Sequence, residues 1–201
     1  MENRVIRALP YAGIAATALC VAAIAGFGAA LAGYSQSLHP VALLGAKGFP
    51  HALVFNLLAF VVPGMLAGAI AIGLRYRLPA DAGWTVRVAT QLIFLSALGF
   101  IALGLLPLDA EDLNSAASRY HATAWMLWWV AFVPGALLLA VSGWRHRDWR
   151  GFAGFSLAAA LATLAVVLFG VELLPPGVAQ RLAFGLWLAW LCRAGWRLRP
   201  S

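Results

Sequence analysis

The sequence predicts an all-α polytopic membrane bundle: six transmembrane helices, both termini cytoplasmic, built from helical hairpins that carry an internal repeat. Three observations predict it. Of the 201 residues, 63% are hydrophobic and 10% charged, whereas soluble domains carry about 25% charged residues. Mean hydropathy is +0.87. Six apolar stretches take up most of the chain, and each is long enough for the roughly 20 helical residues that cross the hydrocarbon core. Finally, the basic residues gather at the flanks of those stretches, as topology determinants do. The net charge of +7 is therefore no nucleic-acid footprint. The connections are too short for a separate soluble domain, so residues 1–201 form one unit.

The first span covers about 8–33, behind Arg4 and Arg7. Its apolar run is longer than a signal-peptide core, so we read it as a retained helix despite the Ala30-Leu31-Ala32 pattern. Gly13, Gly26 and Gly28 suit close packing against other helices. A polar connector follows, Tyr34 to Pro50, whose prolines and glycines forbid a regular helix. The remaining spans are expected at about 51–74, 85–106, 121–144, 151–174 and 178–198. Pro175-Pro176-Gly177 turns the chain between the last two. Cys20 and Cys192 both lie inside apolar segments and read as small buried hydrophobes.

Orientation follows from counting charges. With a cytoplasmic N-terminus, the inside holds Arg4, Arg7, Arg75, Arg77, Arg87, Arg145, Arg147, Arg150, Arg193, Arg197 and Arg199. The outside holds only Lys47, Arg119 and Arg181. The positive-inside rule then places the protein in a bacterial plasma membrane with its outer loops in the periplasm.

The second and fourth spans align when His51 is set over His121. Both run through aromatic and aliphatic residues to Val-Pro-Gly, at Val62-Pro63-Gly64 and Val133-Pro134-Gly135, and both end in Arg-X-Arg. Leu174-Pro175-Pro176 is a weaker echo of Leu106-Pro107-Leu108. Hairpins of like orientation would form a parallel repeat. Each proline removes a backbone donor and frees the carbonyl four residues earlier, at Ala59 and Val130. A packing kink is the expected consequence.

This topology gathers His39, His51, His121, Asp109 and Glu172 on the outer side. Imidazoles and carboxylates at the edge of the hydrocarbon are costly and tend to have a role. His121, Asp109 and His39 are the candidate catalytic residues, as acid and base toward a lipid headgroup. The same three are candidate zinc ligands. Trp125, Trp128 and Phe132 follow His121 at helical spacing, and an aromatic wall beneath a polar rim suits an acyl chain or an isoprenoid. Asn56, Trp125, Trp128 and Glu172 are thus candidate substrate-binding residues. Interhelical hydrogen bonding is an equally available role for Asn56. Glu111 and Asp112 read as solvated loop.

Ser37-Leu38-His39-Pro40, Asn56, Gly104-Leu105-Leu106-Pro107-Leu108-Asp109 and Tyr120-His121 resemble motifs of a prokaryotic membrane family, domain of unknown function 998. The resemblance covers roughly residues 5–195, with Leu106 where the family more usually has Phe. It implies a multi-helix integral membrane protein and assigns no activity. The polar positions it matches are His39, Asn56, Asp109 and His121.

Three readings stay open. The first is an enzyme or binding protein that acts on a lipid or other hydrophobic substrate at the outer face, with or without zinc. The second is a haem electron carrier with His51 and His121 as axial ligands. The third is a non-catalytic scaffold that contacts a membrane protein partner or another copy of itself.

Overall fold

A computed structural model describes residues 2–77 and 83–199. The turn expected between the second and third spans, 78–82, lies outside the described residues, as do the side chains of Arg4 and Arg7. The regular structure of the described residues is all helical, with no strand among them. Six long helices follow one another: α1 (Glu2–Ala30), α2 (Ala52–Arg77), α3 (Gly83–Leu105), α4 (Ala116–Gly143), α5 (Arg150–Leu173) and α6 (Pro176–Arg197). Among the described residues, five segments are long and apolar enough to cross a membrane: Ala8–Ala30, Ala52–Arg77, Gly83–Leu105, Ala116–Gly143 and Arg147–Gly170. α6 is helical over the expected sixth segment but less apolar, because Arg181, Arg193 and Arg197 lie within it.

The helices form a closed ring in which each packs on its sequence neighbours and α6 returns to α1. Small residues set the closest approaches. A Cβ added at Gly13 of α1 would strike the backbone of Leu191 on α6, and one at Gly195 of α6 would come 3.0 Å from the Pro10 carbonyl. On α3, a Cβ at Gly99 would sit 2.7 Å from the Trp128 nitrogen of α4. Such contacts let backbones meet where lipid gives no hydrophobic drive to association. Phe60, Phe100, Trp128, Phe184 and Trp187 fill the axis of the ring with edge-to-face and tilted pairs. The interior is therefore a packed aromatic core.

The two proline helices differ. In α2 a π-helical turn, Leu57–Val61, ends two residues before Pro63. The wider turn accommodates a ring that cannot donate and would crowd the carbonyl four residues back. Gly104 of α3 packs against this turn, where a Cβ would lie 2.8 Å from the Asn56 carbonyl. α4 carries Pro134 within an uninterrupted α-helix. The two leading histidines differ as well. His51 precedes its helix in a left-handed conformation (φ 58°) and is exposed, whereas His121 lies inside α4 and is buried. α4 starts five residues earlier than its hydrophobic pattern indicates. Ser115 caps it, accepting a hydrogen bond from the Ser118 backbone.

Candidate functional site

Segment 31–51 folds across one end of the ring and supplies a wall of the candidate site. A short 3-10 turn, Val41–Gly45, is its buried centre. Four ties hold the segment down. Asn56 donates through Nδ2 to the Gly45 carbonyl at 2.9 Å. The Lys47 backbone donates to the Leu108 carbonyl at 2.8 Å. The Val41 backbone donates to Gln180 Oε1 at 2.6 Å, and the Val178 backbone donates to the Ser37 carbonyl at 3.2 Å. Gly177 makes the last approach possible, since a Cβ there would meet the carbonyls of Gln36, Ser37 and His39 within 2.8 Å.

Arg181 completes the attachment. Its Nε donates to Gln36 Oε1 at 3.0 Å. Nη1 donates to the carbonyls of His39 at 3.1 Å and Gly177 at 2.9 Å. Nη2 donates to Tyr34 Oη at 2.7 Å and to Gln36 Oε1. All five N–H groups of the guanidinium are thereby engaged, by oxygens that carry no formal charge. Tyr34 passes the chain on, donating to the Pro40 carbonyl at 3.2 Å. Burial pushes the Tyr34 phenol above its usual range, and the Arg181 guanidinium only partly opposes that rise. Tyr34 is therefore a neutral phenol at physiological pH.

Between this segment and helices α4, α5 and α6 lies a cleft of about 330 Å³. Pro40 and Ala42 line it from the connector, and His121 and Trp125 from α4. Val166 and Val167 come from α5, and Gln180 and Ala183 from α6. The wall is mainly apolar, with His121 and Gln180 as its polar side chains. Trp125 stacks on Trp128 at 5.0 Å and on Phe184 at 5.4 Å, so the cleft floor is continuous with the aromatic core.

His121 is 7% exposed. Its Nδ1 lies 2.8 Å from the Leu106 carbonyl, and the Leu103 carbonyl also reaches the ring. These carbonyls lie in the last turn of α3 and just past it, where helix ends leave acceptors unsatisfied. Pro107 deepens the need, because it has no N–H to offer Leu103. A carbonyl only accepts, so Nδ1 carries the proton, and in the neutral ring Nε2 holds the lone pair.

Asp109 is placed differently. Its Oδ1 accepts from the backbones of Glu111 and Asp112, both at 3.3 Å, closing the loop before α4. Ser118, 3% exposed, is the centre of that loop. Its Oγ lies 3.0 Å from the Asp109 carbonyl, 2.9 Å from the Asp112 carbonyl and 3.2 Å from the Asp109 nitrogen. His39 accepts from the Ser35 backbone through Nδ1 at 2.9 Å and leans on the Tyr34 ring. Its backbone carbonyl, not its imidazole, is what meets Arg181.

The expected site residues therefore separate. His121 and Trp125 line the cleft. Trp128 is fully buried one layer below it, in the core. Asn56 holds the connector, and Glu172 is exposed at the end of α5. His51 lines a second cleft with Phe27, Leu44 and Phe49, apart from the one that holds His121. Among the described residues no three His, Cys, Asp or Glu side chains form a group fit to hold a metal ion. His39, Asp109 and His121 thus do not make the zinc cluster considered from the sequence.

Gln180, Arg181 and Ser118 are absent from the sequence-based candidates. A signal for Arg181 does exist: a cation beside Pro-Pro-Gly at the edge of an apolar segment requires partners. Which partners meet it depends on the fold.

A family model described as Protein of unknown function (DUF998) matches residues 14–197. No curated protein and no solved structure matches the chain.

Proposed function

The chain belongs to the DUF998 family, and from that premise we propose that this helical membrane protein binds a lipid or other chain-bearing hydrophobic molecule in the cleft between the connector, α4, α5 and α6. The observation that carries this reading is the cleft itself, an apolar recess of about 330 Å³ with one imidazole and one amide among its lining side chains. Ligand sites are typically apolar hollows with a few placed polar groups. The chain of the ligand lies against Trp125, Val166, Val167 and Ala183. Its polar head meets His121 Nε2 as an acceptor and the Gln180 amide as a donor.

The same proposal assigns the membrane setting. α6 is the sixth span, both termini face the cytoplasm of a bacterial inner membrane, and the cleft opens on the periplasmic side. The supporting observation is charge. Arg75, Arg145, Arg147, Arg150, Arg193, Arg197 and Arg199 lie toward one end of the bundle, and Lys47, Arg119 and Arg181 toward the other. The repeated Val-Pro-Gly hairpins belong to this reading too, as descendants of one hairpin whose two copies have diverged.

A second reading is a non-catalytic scaffold for a membrane protein partner. It is favoured by the way Asn56, Asp109 and Arg181 are engaged with the protein's own backbone.

Mass spectrometry of lipid extracted from purified protein tests the first reading. Ala122 lines the cleft and is exposed, so Ala122→Trp fills the mouth without entering the core. The wild-type protein is expected to retain a chain-bearing lipid that Ala122→Trp loses. Equal retention by the two proteins would remove the cleft from consideration.

A further inference from the structure

The opposite end of the bundle carries a further recess that the cleft reading leaves unused. A groove of about 420 Å³ runs between α5 and α6. Phe155 lines it from α5; Ala189, Cys192, Arg193 and Trp196 line it from α6. Those four positions recur at three- and four-residue spacing, so they form a single stripe along the helix. Its upper part is apolar. Its lower end is an arginine at the level where an interfacial tryptophan also sits.

Arg193 belongs to a cluster. Arg197 lies within electrostatic reach of it, and Asp148 is the carboxylate that faces Arg197. The Arg197 guanidinium stacks on Trp149 at 4.3 Å, and that of Arg199 on Trp196 at 3.2 Å. Both of these arginines keep a buried Nε without a hydrogen-bond partner among the described residues. Arg193 and Arg197 on the last turns of α6 and Arg199 just past its end, with one nearby carboxylate, leave an excess of positive charge. The negative end of the α6 dipole favours cations there. It gives no reason for one of them to line an apolar groove between two helices.

We propose that this groove holds an anionic phospholipid, its phosphate against Arg193 and one acyl chain along Phe155, Ala189, Cys192 and Trp196. Charge complementarity selects the occupant. An arginine fork matches phosphate oxygens, and basic recesses between transmembrane helices on the cytoplasmic side accept acidic headgroups. A zwitterionic lipid would bring its own cation to the cluster and gain less. The proposal is independent of the cleft at the other end, and its failure would leave that reading untouched.

The test is lipid retention by the full chain, exchanged into mixed phosphatidylglycerol and phosphatidylcholine and read by native mass spectrometry. Wild-type protein is expected to keep phosphatidylglycerol over phosphatidylcholine. Arg193→Gln should weaken that preference roughly fivefold, the share of one surface cation. Ala189→Trp, at an exposed position in the groove, should displace the lipid while Arg193 remains. Arg145→Gln, at the same end but outside the groove, should keep the preference. The proposal is overturned if the two lipids are retained alike. It is equally overturned if Arg145→Gln weakens retention as much as Arg193→Gln does, since diffuse charge would then account for the effect.

Discussion

His121 Nδ1 stands 2.8 Å from the carbonyl oxygen of Leu106. The two residues are fifteen positions apart, one inside α4 and the other just past the end of α3. The imidazole brings a donor to the carbonyls at the end of α3, beside Leu103, to which Pro107 has no N–H to offer, so a candidate ligand-binding residue also closes a helix end. Replacing His121 by Ala should destabilise the protein by about 0.5–1.5 kcal/mol, the usual net worth of one hydrogen bond. Thermal unfolding in detergent measures this. Gln, with an amide donor at similar reach, should recover part of the loss. An unchanged melting temperature in His121→Ala would show that the Leu106 contact adds nothing to stability.

Arg181 holds the connector by five donors in a planar arrangement. Lysine keeps the charge but offers a point donor instead of the fork. We therefore expect Arg181→Lys to resemble Arg181→Ala, with faster hydrogen exchange of the backbone at residues 34–41 in both. If Lys protects those amides as well as Arg does, charge and not hydrogen-bond geometry anchors the segment.

Asp109 bonds backbone N–H groups of its own loop. An Asn side chain retains an acceptor oxygen in that place, whereas Ala does not. Asp109→Asn should thus unfold close to the wild-type temperature, and Asp109→Ala should lose about 1 kcal/mol, as for other side-chain caps of backbone donors. Retention of cleft lipid should survive Asp109→Asn. Loss of that lipid in Asp109→Asn, with stability intact, would assign the carboxylate charge a part in binding.

Gly99 and Gly26 make a matched pair for helix packing. A methyl group at Gly99 would enter the backbone of Trp128, and one at Gly26 would meet nothing within 4 Å. Gly99→Ala should cost about 1–3 kcal/mol by overpacking. Gly26→Ala should be neutral or gain about 0.5–1 kcal/mol from reduced backbone freedom. Chemical denaturation of the two variants against wild type reads both signs.

Sidedness can be read with single cysteines in a background that lacks Cys20 and Cys192. A membrane-impermeant maleimide added to intact cells should label Lys47→Cys and leave Arg145→Cys unlabelled until the membrane is opened. The reverse pattern would invert the proposed orientation.

Much of this protein is legible in the order of its residues. Span length, the alternation of basic flanks and the turn at Pro175-Pro176 are local properties, and backbone groups in lipid must be satisfied within a helix. Hydropathy alone therefore locates the helices to within a few residues. It misjudges some of their ends, as at Glu2, where α1 begins, and at Ser115, which caps α4. Trp125 and His121 are legible in the same way, because a polar residue opening an apolar helix stands out against its neighbours.

What the linear order could not decide is where each polar group is satisfied. Asp109 and His121 look like partners in the sequence because they flank one loop. In the fold the carboxylate turns to its own loop and the imidazole to the end of α3. Trp128 shares a helical face with Trp125 yet lies in the core, since α6 brings Phe184 and Trp187 over it. Arg181 finds Tyr34, Gln36 and His39 only because α6 closes the ring beside α1. Helix formation depends on neighbours a few residues apart, which the sequence displays. Hydrogen-bond pairing at the helix ends depends on which loops meet, and that is settled only when the bundle closes.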